Sequence, residues 1–348
     1  MDAILYLLIG AYTFGVSEGI YLYKFDVNTG NSEYISVTPV DNVSYLEVGD
    51  GKHIYGVSEN RGIPSYTNAL YFDKEQEKLS FLNRQETLGA TPVYVTTDTV
   101  RKTVLAANFN GGSITIYKTN ADTLLAPQLI TFDGHGADTI RQKSPHLHCV
   151  KLSPDGKYLF AADLGTDKIY RFDVNTENSG SYLKRETMKS FKVADKAGPR
   201  HLIFHPTNNY VYAITELSGE VICFNYNNGD LEEFQSIQAD TINARASADI
   251  GITPDGKFLY ASNRNRGDGI AIFSINETNG RLTKLGYQPT ARQPRSFIIS
   301  PNGKYILVAC TAGNLIEVFE INKTTGLLSK PDKDITAIET PVCLKLIE

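Results

Sequence analysis

Hydrophobic and polar positions alternate along the chain in short runs, and one run recurs at regular intervals. Each copy is an apolar stretch that ends near an aromatic residue and continues into a polar turn, as in "IYLYKFDVNTG" and "IAIFSINETNGRL". The aromatic positions lie 47, 45, 55, 52, 49 and 46 residues apart; they are Phe25, Phe72, Tyr117, Phe172, Phe224, Phe273 and Phe319. This period of about 50 residues predicts seven copies of one structural unit.

A second pattern has the same period and predicts a hairpin in each unit. Tight-turn sequences separate apolar runs in "GDGKHIYGVS", "SPDGKYLFAAD", "TPDGKFLYASN" and "SPNGKYILVAC". Asp-Gly and Asn-Gly favour the positive φ values of hairpin turns, so each copy predicts two antiparallel strands. Seven four-stranded units describe an all-β protein, a seven-bladed β-propeller, and no helical pattern of useful length competes with it.

The two ends of the chain predict how the propeller closes. The first copy, "ILYLLIGAYT", has no strand before it, and a leftover strand, "TPVCLKLIE", occupies residues 340–348. We expect the C-terminal strand to pair into the first blade, because closure removes exposed sheet edges. There is no linker-like segment and no second pattern, so residues 1–348 are expected to form a single propeller domain.

Composition narrows the classes of function. The chain has 348 residues and a net charge of −5, so it offers no basic surface for nucleic acid or for an anionic membrane. No apolar run approaches the ~20 residues that span a bilayer. The apolar start lacks a basic leader, so we expect no signal peptide and a cytoplasmic location. Four cysteines without CxxC spacing favour buried thiols over disulfides or metal ligands.

Cationic and titratable residues occupy unusual places on the predicted inner strands. Six residues before the turn proline or its equivalent, the first strands carry Val43, Val93, His148, Arg200, Ala248 and Arg295. A strand with one packed face would place an aliphatic residue there, so His148, Arg200 and Arg295 are expected at one level around the central channel. His201 adjoins this level, and His146 shares the strand parity of His148.

The ends of the predicted second strands add a matching set. The seventh residues after the turn lysine or its equivalent are Glu59, Phe109, Leu164, Glu216, Arg264 and Thr311. "ITEL" thus contributes Glu216, and "SNRNR" contributes Arg264 and Arg266, to the same mouth. The charged cluster predicted at this mouth comprises His148, Arg200, His201, Glu216, Arg264 and Arg295. It holds more cations than ion pairing within the protein needs, so it predicts a site for a small anionic molecule. Structural roles are expected for His53, His135 and His205, the last in a turn or a structural hydrogen bond before Pro206.

Several segments resemble one known family over essentially the whole chain. "SPHLHCVKLSPDGKYLFAADLGTDKIYRF", "GPRHLIFHP", "YAITEL", "ADIGITPDGKFLYASNR" and "QPRSFIISPNGKYILVA" are similar to the seven-bladed propeller lactonases. That family includes propeller-type 6-phosphogluconolactonases, and the fungal carboxy-cis,cis-muconate lactonising enzyme is a relative on the same fold. The resemblance implies catalytic roles for His148, Glu216, Arg200 and Arg264. Cys310 and Thr311 depart from the Asn-Gln pair that family members often carry there, which puts substrate contacts on this blade in doubt.

The resemblance implies hydrolysis of a sugar lactone ester without a metal or other cofactor. The expected reaction converts 6-phosphoglucono-δ-lactone to 6-phosphogluconate, a step of the pentose phosphate pathway. It needs an activated water and a site for the oxyanion, for which Arg200 and Arg264 are the candidates. A carboxylate beside two arginines is a poor base, which favours His148 over Glu216 as the base. The candidate substrate-binding residues are Arg295, Arg266, His201 and His146, the first two for the phosphate.

Two other functions stay open at this point. A lyase or cycloisomerase would keep the cationic pocket but would add a carboxylate to a double bond and protonate carbon. A non-catalytic propeller would bind a metabolite or a protein through exposed aromatic patches, which the charged cluster fits poorly. The lack of CxxC, HExxH and GxSxG motifs argues against a metalloprotease or a serine-nucleophile hydrolase. The sequence leaves the oligomeric state open.

Overall fold

Alternating strands and tight turns account for nearly all regular structure in the computed structural model, which describes residues 3–60, 62, 64–120, 122–177 and 180–347. The first sheet contains β1 (Ile4–Ala11), β2 (Gly19–Asp26) and β3 (Ser32–Pro39). The second contains β4 (Val43–Val48), β5 (His53–Ser58), β6 (Tyr66–Asp73) and β7 (Lys78–Glu86). The third contains β8 (Pro92–Asp98), β9 (Thr103–Asn108), β10 (Ser113–Asn120), β11 (Thr123–Leu124) and β12 (Gln128–Thr131).

Four further sheets follow in chain order. The fourth contains β13 (Leu147–Leu152), β14 (Tyr158–Asp163), β15 (Lys168–Val174) and β16 (Leu183–Lys192). The fifth contains β17 (Pro199–Phe204), β18 (Tyr210–Thr215), β19 (Glu220–Asn227) and β20 (Asp230–Gln238). The sixth contains β21 (Ser247–Ile252), β22 (Phe258–Asn263), β23 (Gly269–Ile275) and β24 (Leu282–Pro289). The seventh contains β25 (Pro294–Ile299), β26 (Tyr305–Cys310), the 3₁₀ turn Thr311–Gly313, β27 (Leu315–Ile321) and β28 (Leu328–Ser329).

The last strand, β29 (Pro341–Ile347), joins the first sheet beside β1, as predicted. It runs antiparallel to β1, in a register that sets Ile9 opposite Leu344 and Leu7 opposite Leu346. Residue 348 of the predicted strand lies outside the described residues. β1 therefore has a hydrogen-bonded neighbour on each side and presents no open edge.

Spatial proximity groups the chain into two compact units. The first unit contains residues 1–43, 203–225 and 232–348, and one of its cores packs Leu7 of β1 against Leu307 and Val318 of the seventh sheet. The second unit contains residues 44–202 and 226–231, and Val57 packs there with Tyr117 of the third sheet. The aromatic positions of the repeat are all buried in third strands, where an apolar face meets a neighbouring sheet. A single domain over residues 1–348 stays a prediction.

Glycines at both repeated turns explain the two sequence patterns. The hairpin glycines Gly51, Gly156, Gly256 and Gly303 have φ values of 84°, 65°, 75° and 66°, which L-residues with a side chain rarely adopt. The glycine of the second turn also packs against an aromatic ring of a neighbouring sheet. A Cβ at Gly30 would lie 2.9 Å from Tyr305, and one at Gly229 would lie 2.9 Å from Tyr158. The same contact recurs between Gly280 and Tyr210 and between Gly326 and Phe258.

We expect Gly326→Ala to lower the free energy of unfolding by about 2–4 kcal/mol. Its φ is 72°, and a Cβ there would collide with the ring of Phe258. Gly51→Ala is the matched control, because its φ is 84° but nothing lies within 4 Å of the added atom. Urea unfolding should show that the control loses about 1–2 kcal/mol of its free energy of unfolding, because it has the backbone strain but no collision with a ring. Equal losses in the two variants would show that the ring contact contributes nothing.

The third sheet departs from the predicted four-stranded pattern. Its outer strand is divided into β11 and β12, which pair with opposite ends of β10. Pro127 lies between the two pieces, and a proline has no N–H to donate to the ladder. The chain therefore leaves β10 after Leu125, whose N–H still donates to the Lys118 carbonyl at 2.9 Å, and returns to it at Gln128.

Burial of the thiols agrees with the interpretation of the cysteine spacing. Cys149, Cys223, Cys310 and Cys343 are all buried and free. Burial raises the pKa of the Cys223 thiol to about 12, so this group stays protonated. Separately, no helix in the described part of the chain is long and apolar enough to cross a membrane.

Candidate active site

Several first strands of the sheets have a β-bulge at the position found by counting six residues back from each repeated turn. The register of β13 with β14 shifts between Leu147 and Cys149, so His148 is one extra residue relative to β14. The register of β25 with β26 shifts in the same way around Arg295. β8 shifts at the equivalent place, and β21 shifts over Ala248 and Asp249. A bulge turns a side chain away from the regular alternation, which lets a charged residue stand where a packed aliphatic would otherwise lie.

His148, Arg200 and His201 form the histidine cluster, which lies within the second unit. The ring centroids of His148 and His201 are 5.2 Å apart, and Nη1 of Arg200 lies 3.2 Å from Nε2 of His201. The exposed fractions of Arg200, His148 and His201 are only 2%, 4% and 5%. The structure thus brings these three residues together, and all three are nearly inaccessible to bulk water.

The contact between Arg200 and His201 fixes where the imidazole proton lies. A guanidinium has only hydrogen-bond donors, so Nε2 of His201 must accept from Arg200. The ring is then neutral and carries its proton on Nδ1, because Nε2 cannot accept a hydrogen bond while protonated. His201 therefore offers an N–H donor and keeps the neighbouring cation oriented.

Aromatic rings enclose the histidine cluster. His201 contacts Tyr94 and Tyr45 at centroid distances of 5.2 and 5.9 Å, and the two tyrosines stack on each other at 4.1 Å. Phe109 meets His148 edge-on at 5.4 Å and stacks on His146 at 4.5 Å. Sequence reasoning did not identify the two tyrosines as site residues, although Tyr94 adjoins the aligned position Val93 and Tyr45 lies two residues after Val43.

A buried carboxylate fixes the chain where it enters β13. Asp163 accepts hydrogen bonds from the backbone N–H groups of His146 and Gly165, at 2.6 and 2.9 Å, and from the Thr166 hydroxyl at 2.6 Å. Burial raises its pKa although these hydrogen bonds act in the opposite direction. Nδ1 of His146 lies 2.9 Å from the carbonyl oxygen of Phe109. The backbone and the side chain of His146, two residues before His148, are therefore both held in place.

Glu216 and Arg264 form the ion-pair cluster, which lies within the first unit. Nη2 of Arg264 is 3.3 Å from Oε2 of Glu216, and the side chains are only 14% and 9% exposed. The carbonyl of Ala246 accepts from Nε and from the backbone N–H of the same arginine, at 2.9 and 3.3 Å. The guanidinium is thus fixed on one side by a carboxylate and on the other by the backbone. That this cluster and the histidine cluster share one pocket stays a prediction.

Asp249 is a buried acid in the first unit that sequence reasoning missed. Its Oδ1 accepts from the backbone N–H of Ile250 at 3.0 Å, and its Oδ2 accepts from that of Phe297 at 3.2 Å. The signal was an aspartate inside the apolar run "ADIGI", next to the aligned Ala248. A carboxylate on the inner strand next to the bulged strand β25 is a further candidate for the site.

Arg295 and Arg266, the two arginines predicted to bind phosphate, differ in their surroundings. Arg295 is half-buried, and its guanidinium carbon lies 5.9 Å from the ring centroid of Tyr12. Arg266 is exposed, with a φ of 70°, on a turn that Asp268 stabilises by accepting from the backbone N–H of Asn265 at 3.0 Å. Arg295 is therefore the better oriented of the two, and a role for Arg266 stays a prediction.

Cys310 and Thr311, which depart from the family pattern, make contacts within the protein. The Cys310 thiol lies 3.5 Å from Oε2 of Glu317 on β27. The Thr311 hydroxyl donates to the carbonyl of Pro341 at 2.8 Å, where β29 begins. These side chains thus hold the seventh sheet together and tie it to the strand that completes the first.

Two other histidines have the structural roles expected of them. Nδ1 of His205 accepts from the backbone N–H groups of Thr207 and Asn208, so Nε2 carries the proton and donates to Gly256 O at 3.0 Å. This confirms the predicted turn before Pro206. His53 lies between two carboxylates, with Nδ1 2.9 Å from Asp50 and Nε2 2.7 Å from Asp122. In the described residues, no three His, Cys, Asp or Glu side chains are arranged to hold a metal ion.

The His53 ion pairs are expected to make stability depend on pH. Burial lowers the pKa of His53, but hydrogen bonds to Asp50 and Asp122 outweigh it and raise the pKa overall. A raised folded-state pKa adds stability that is complete below ~6.5 and is lost as pH rises through the folded value. His53→Gln should therefore cost the most near pH 5, by less than about 1 kcal/mol, because the carboxylates are exposed. Unfolding at pH 5 and pH 9 measures this, and an equal loss at both would contradict it.

Comparisons with known proteins agree over the whole length of the chain. The family described as "Lactonase, 7-bladed beta-propeller" matches residues 6–346. A protein of Formosa agariphila named 6-phosphogluconolactonase is 33% identical over 91% of this chain and 92% of its own length. A Bacillus subtilis protein of the same name is 33% identical over 97% of each chain.

Solved structures give the same result. A Bacteroides fragilis protein with a provisional 6-phosphogluconolactonase name is 48% identical, covers 100% of this chain and 99% of its own, and superposes with a TM-score of 0.96. A Pseudomonas aeruginosa protein described as a periplasmic gluconolactonase is 28% identical, covers 99% of both chains and has a TM-score of 0.92.

Proposed function

Because the chain belongs to the seven-bladed β-propeller lactonase family, we propose that it hydrolyses a sugar lactone ester and that its substrate is 6-phosphoglucono-δ-lactone. The predicted fold, an all-β seven-bladed propeller, is confirmed by the seven sheets and by the family match. The observation that carries the proposal is the burial of Arg200 against the imidazole of His201, whose ring in turn meets that of His148. A guanidinium that is shielded from water beside a neutral histidine can stabilise the oxyanion that forms during lactone hydrolysis.

The hydrolysis divides into two steps in which His148 carries one proton. In the first, His148 removes a proton from water while the water oxygen bonds to the lactone carbonyl carbon, and the carbonyl oxygen becomes an oxyanion. Arg200 stabilises that charge by charge-assisted hydrogen bonds. In the second, the bond between that carbon and the ring oxygen breaks, and His148 returns its proton to the departing oxygen. The product is the open-chain hydroxy acid.

Glu216 is the weaker candidate for the base. Its carboxylate contacts the Arg264 guanidinium at 3.3 Å, and an adjacent cation stabilises the ionised form and weakens it as a proton acceptor. We assign Glu216 to orienting Arg264, whose guanidinium is a donor for stabilising negative charge.

The test of the proposed function is acid release from fresh 6-phosphoglucono-δ-lactone above the spontaneous rate. Glucono-δ-lactone is the matched substrate, since it lacks only the phosphate. Acceleration with the phosphorylated lactone supports the proposal. Activity on a carboxymuconate-like acid alone would favour the cycloisomerase, and activity on none of these would favour a binding protein.

Arg295→Ala is expected to raise KM for the phosphorylated lactone by about 10- to 100-fold, because charge-assisted hydrogen bonds to phosphate are lost. KM for glucono-δ-lactone should stay within about twofold, since that substrate has no phosphate to bind. Arg281→Ala is the control, because Arg281 is an exposed arginine that contacts the carbonyl of Phe234. Steady-state kinetics on both substrates measure the difference. Equal changes in both KM values would remove Arg295 from phosphate recognition.

We also propose that the enzyme acts in the cytoplasm, in the pentose phosphate pathway. Four free, buried cysteines fit a reducing compartment. The structural neighbour described as periplasmic makes the compartment worth testing directly. Cell fractionation should recover the protein with a cytoplasmic marker, and recovery with periplasmic proteins would refute this part of the proposal.

A further inference from the structure

Two aromatic side chains near Arg295 are not accounted for by the chemistry above. The guanidinium carbon of Arg295 lies 5.9 Å from the ring centroid of Tyr12. The ring of Phe14 stacks on the same tyrosine at 5.0 Å, with the two planes 21° apart. Phe14 is itself 69% exposed, which is unusual for a phenylalanine. One aromatic ring thus links an exposed apolar side chain to a cation of the proposed site.

The loop that carries these rings is firmly anchored. Asn42 Oδ1 accepts from the backbone N–H and the hydroxyl of Thr13, at 3.0 and 3.2 Å. Tyr12 exchanges hydrogen bonds with Thr340, at 3.1 Å through its N–H and 2.8 Å through its carbonyl. The Ser17 hydroxyl donates to the Glu339 carbonyl at 2.6 Å. Hydrogen bonds to Asn42, Thr340 and Glu339 therefore hold the loop in place, with Phe14 exposed to solvent.

We propose that Tyr12, supported by Phe14, is a positioning residue that orients the Arg295 guanidinium and so determines the enzyme's preference for lactones that carry a phosphate. This inference rests on the proposed function, in which Arg295 binds that phosphate. An arginine side chain has many rotamers, and a phosphate is bound best by a planar fork that already points the right way. A ring face against the guanidinium reduces that freedom by a cation–π contact.

Phe14 acts one step further from the phosphate. It stacks on Tyr12 and limits the tilt of the ring that meets Arg295. Its loop is anchored at Thr13 and Ser17 on either side, so the stacking does not depend on substrate. The effect of removing Phe14 should therefore be smaller than that of removing the tyrosine ring and of the same kind.

The experiment compares KM and kcat for 6-phosphoglucono-δ-lactone and glucono-δ-lactone. Tyr12→Leu should raise KM for the phosphorylated lactone by about fivefold and Phe14→Ala by about twofold, with little change in kcat. KM for glucono-δ-lactone should not change in either variant. Tyr12→Phe keeps the ring and should keep the wild-type KM. Tyr34→Leu, which removes an exposed tyrosine of β3 that contacts Tyr23, is the control.

A double-mutant cycle separates positioning from a merely structural role. In an Arg295→Ala background, Tyr12→Leu should have no further effect on KM. If it keeps its full effect there, or changes both substrates equally, the inference is overturned. If Arg295→Ala removes the preference for phosphate but the aromatic variants do not, this inference alone fails. If Arg295→Ala keeps the preference, the phosphate role in the proposed function fails with it. Phe14→Ala removes an exposed side chain, so folding should not limit the test.

Discussion

His148→Gln is expected to lower kcat by about 10²–10⁴-fold with KM little changed, because glutamine cannot take a proton from water. The side chain is buried beside His201 and Phe109, and glutamine has a similar length and retains a hydrogen-bonding group. Steady-state kinetics and the pH dependence of kcat/KM measure the effect. The acidic limb of the wild-type profile should disappear in the variant.

Two further variants test whether the loss of kcat in His148→Gln comes from loss of the general base. His205→Gln replaces an equally buried histidine whose hydrogen bonds hold a turn, so it should lower the unfolding temperature and leave kcat unchanged. Glu216→Gln tests the rival base and should cost less than His148→Gln. A larger loss of kcat for Glu216→Gln would assign the base to the carboxylate and leave the imidazole an orienting role.

Arg200→Met is expected to lower kcat by about 10²–10³-fold, the usual effect of removing a preorganised donor to an oxyanion. Arg200 is the largest fully buried side chain in the described part of the protein. Methionine fills much of the same volume, and exchange of a buried charge for an apolar group is often tolerated by the fold. Kinetics with the phosphorylated lactone, together with thermal unfolding, separate loss of catalysis from loss of structure.

Arg171→Met is the matched control for this prediction. Arg171 is also buried and makes an ion pair with Asp173 and a cation–π contact with Tyr158, in the sheet that carries His148. Its replacement should reduce stability without lowering kcat. If both methionine variants lose activity in parallel with stability, Arg200 has a structural role only.

The sequence predicts the fold well because each blade repeats the same local signals. The buried aromatic recurs seven times and the hairpin glycine four times, on strands that alternate throughout, so errors in one copy are corrected by the others. The divided outer strand of the third sheet was not predicted because Pro127, which interrupts it, is not part of the repeated pattern. That position was visible in the sequence, since a proline inside a strand pattern interrupts a ladder.

The candidate site was predicted less completely, and the reason is the backbone register. Counting from the turn identified His148 and Arg295, yet the shift of one residue at each depends on pairing with the next strand. The regular alternation of side chains between the two faces of a strand therefore does not predict which neighbouring side chain contacts the site. Tyr94 and Asp249 were missed for that reason, since each adjoins an aligned position on a strand whose register shifts. Tyr45 lies two residues after the aligned Val43 and was also missed.

The pairing of β29 with β1 has a consequence for biosynthesis. β1 acquires its second neighbour only when residues 341–347 have left the ribosome, because Gly10 pairs with Cys343. Contacts so distant in sequence form slowly, since a long loop must close before they stabilise anything. Among the strands of the seven sheets, β1 is synthesised first and waits longest for its partner, and chaperones that protect exposed strand edges would act on this segment of the nascent chain.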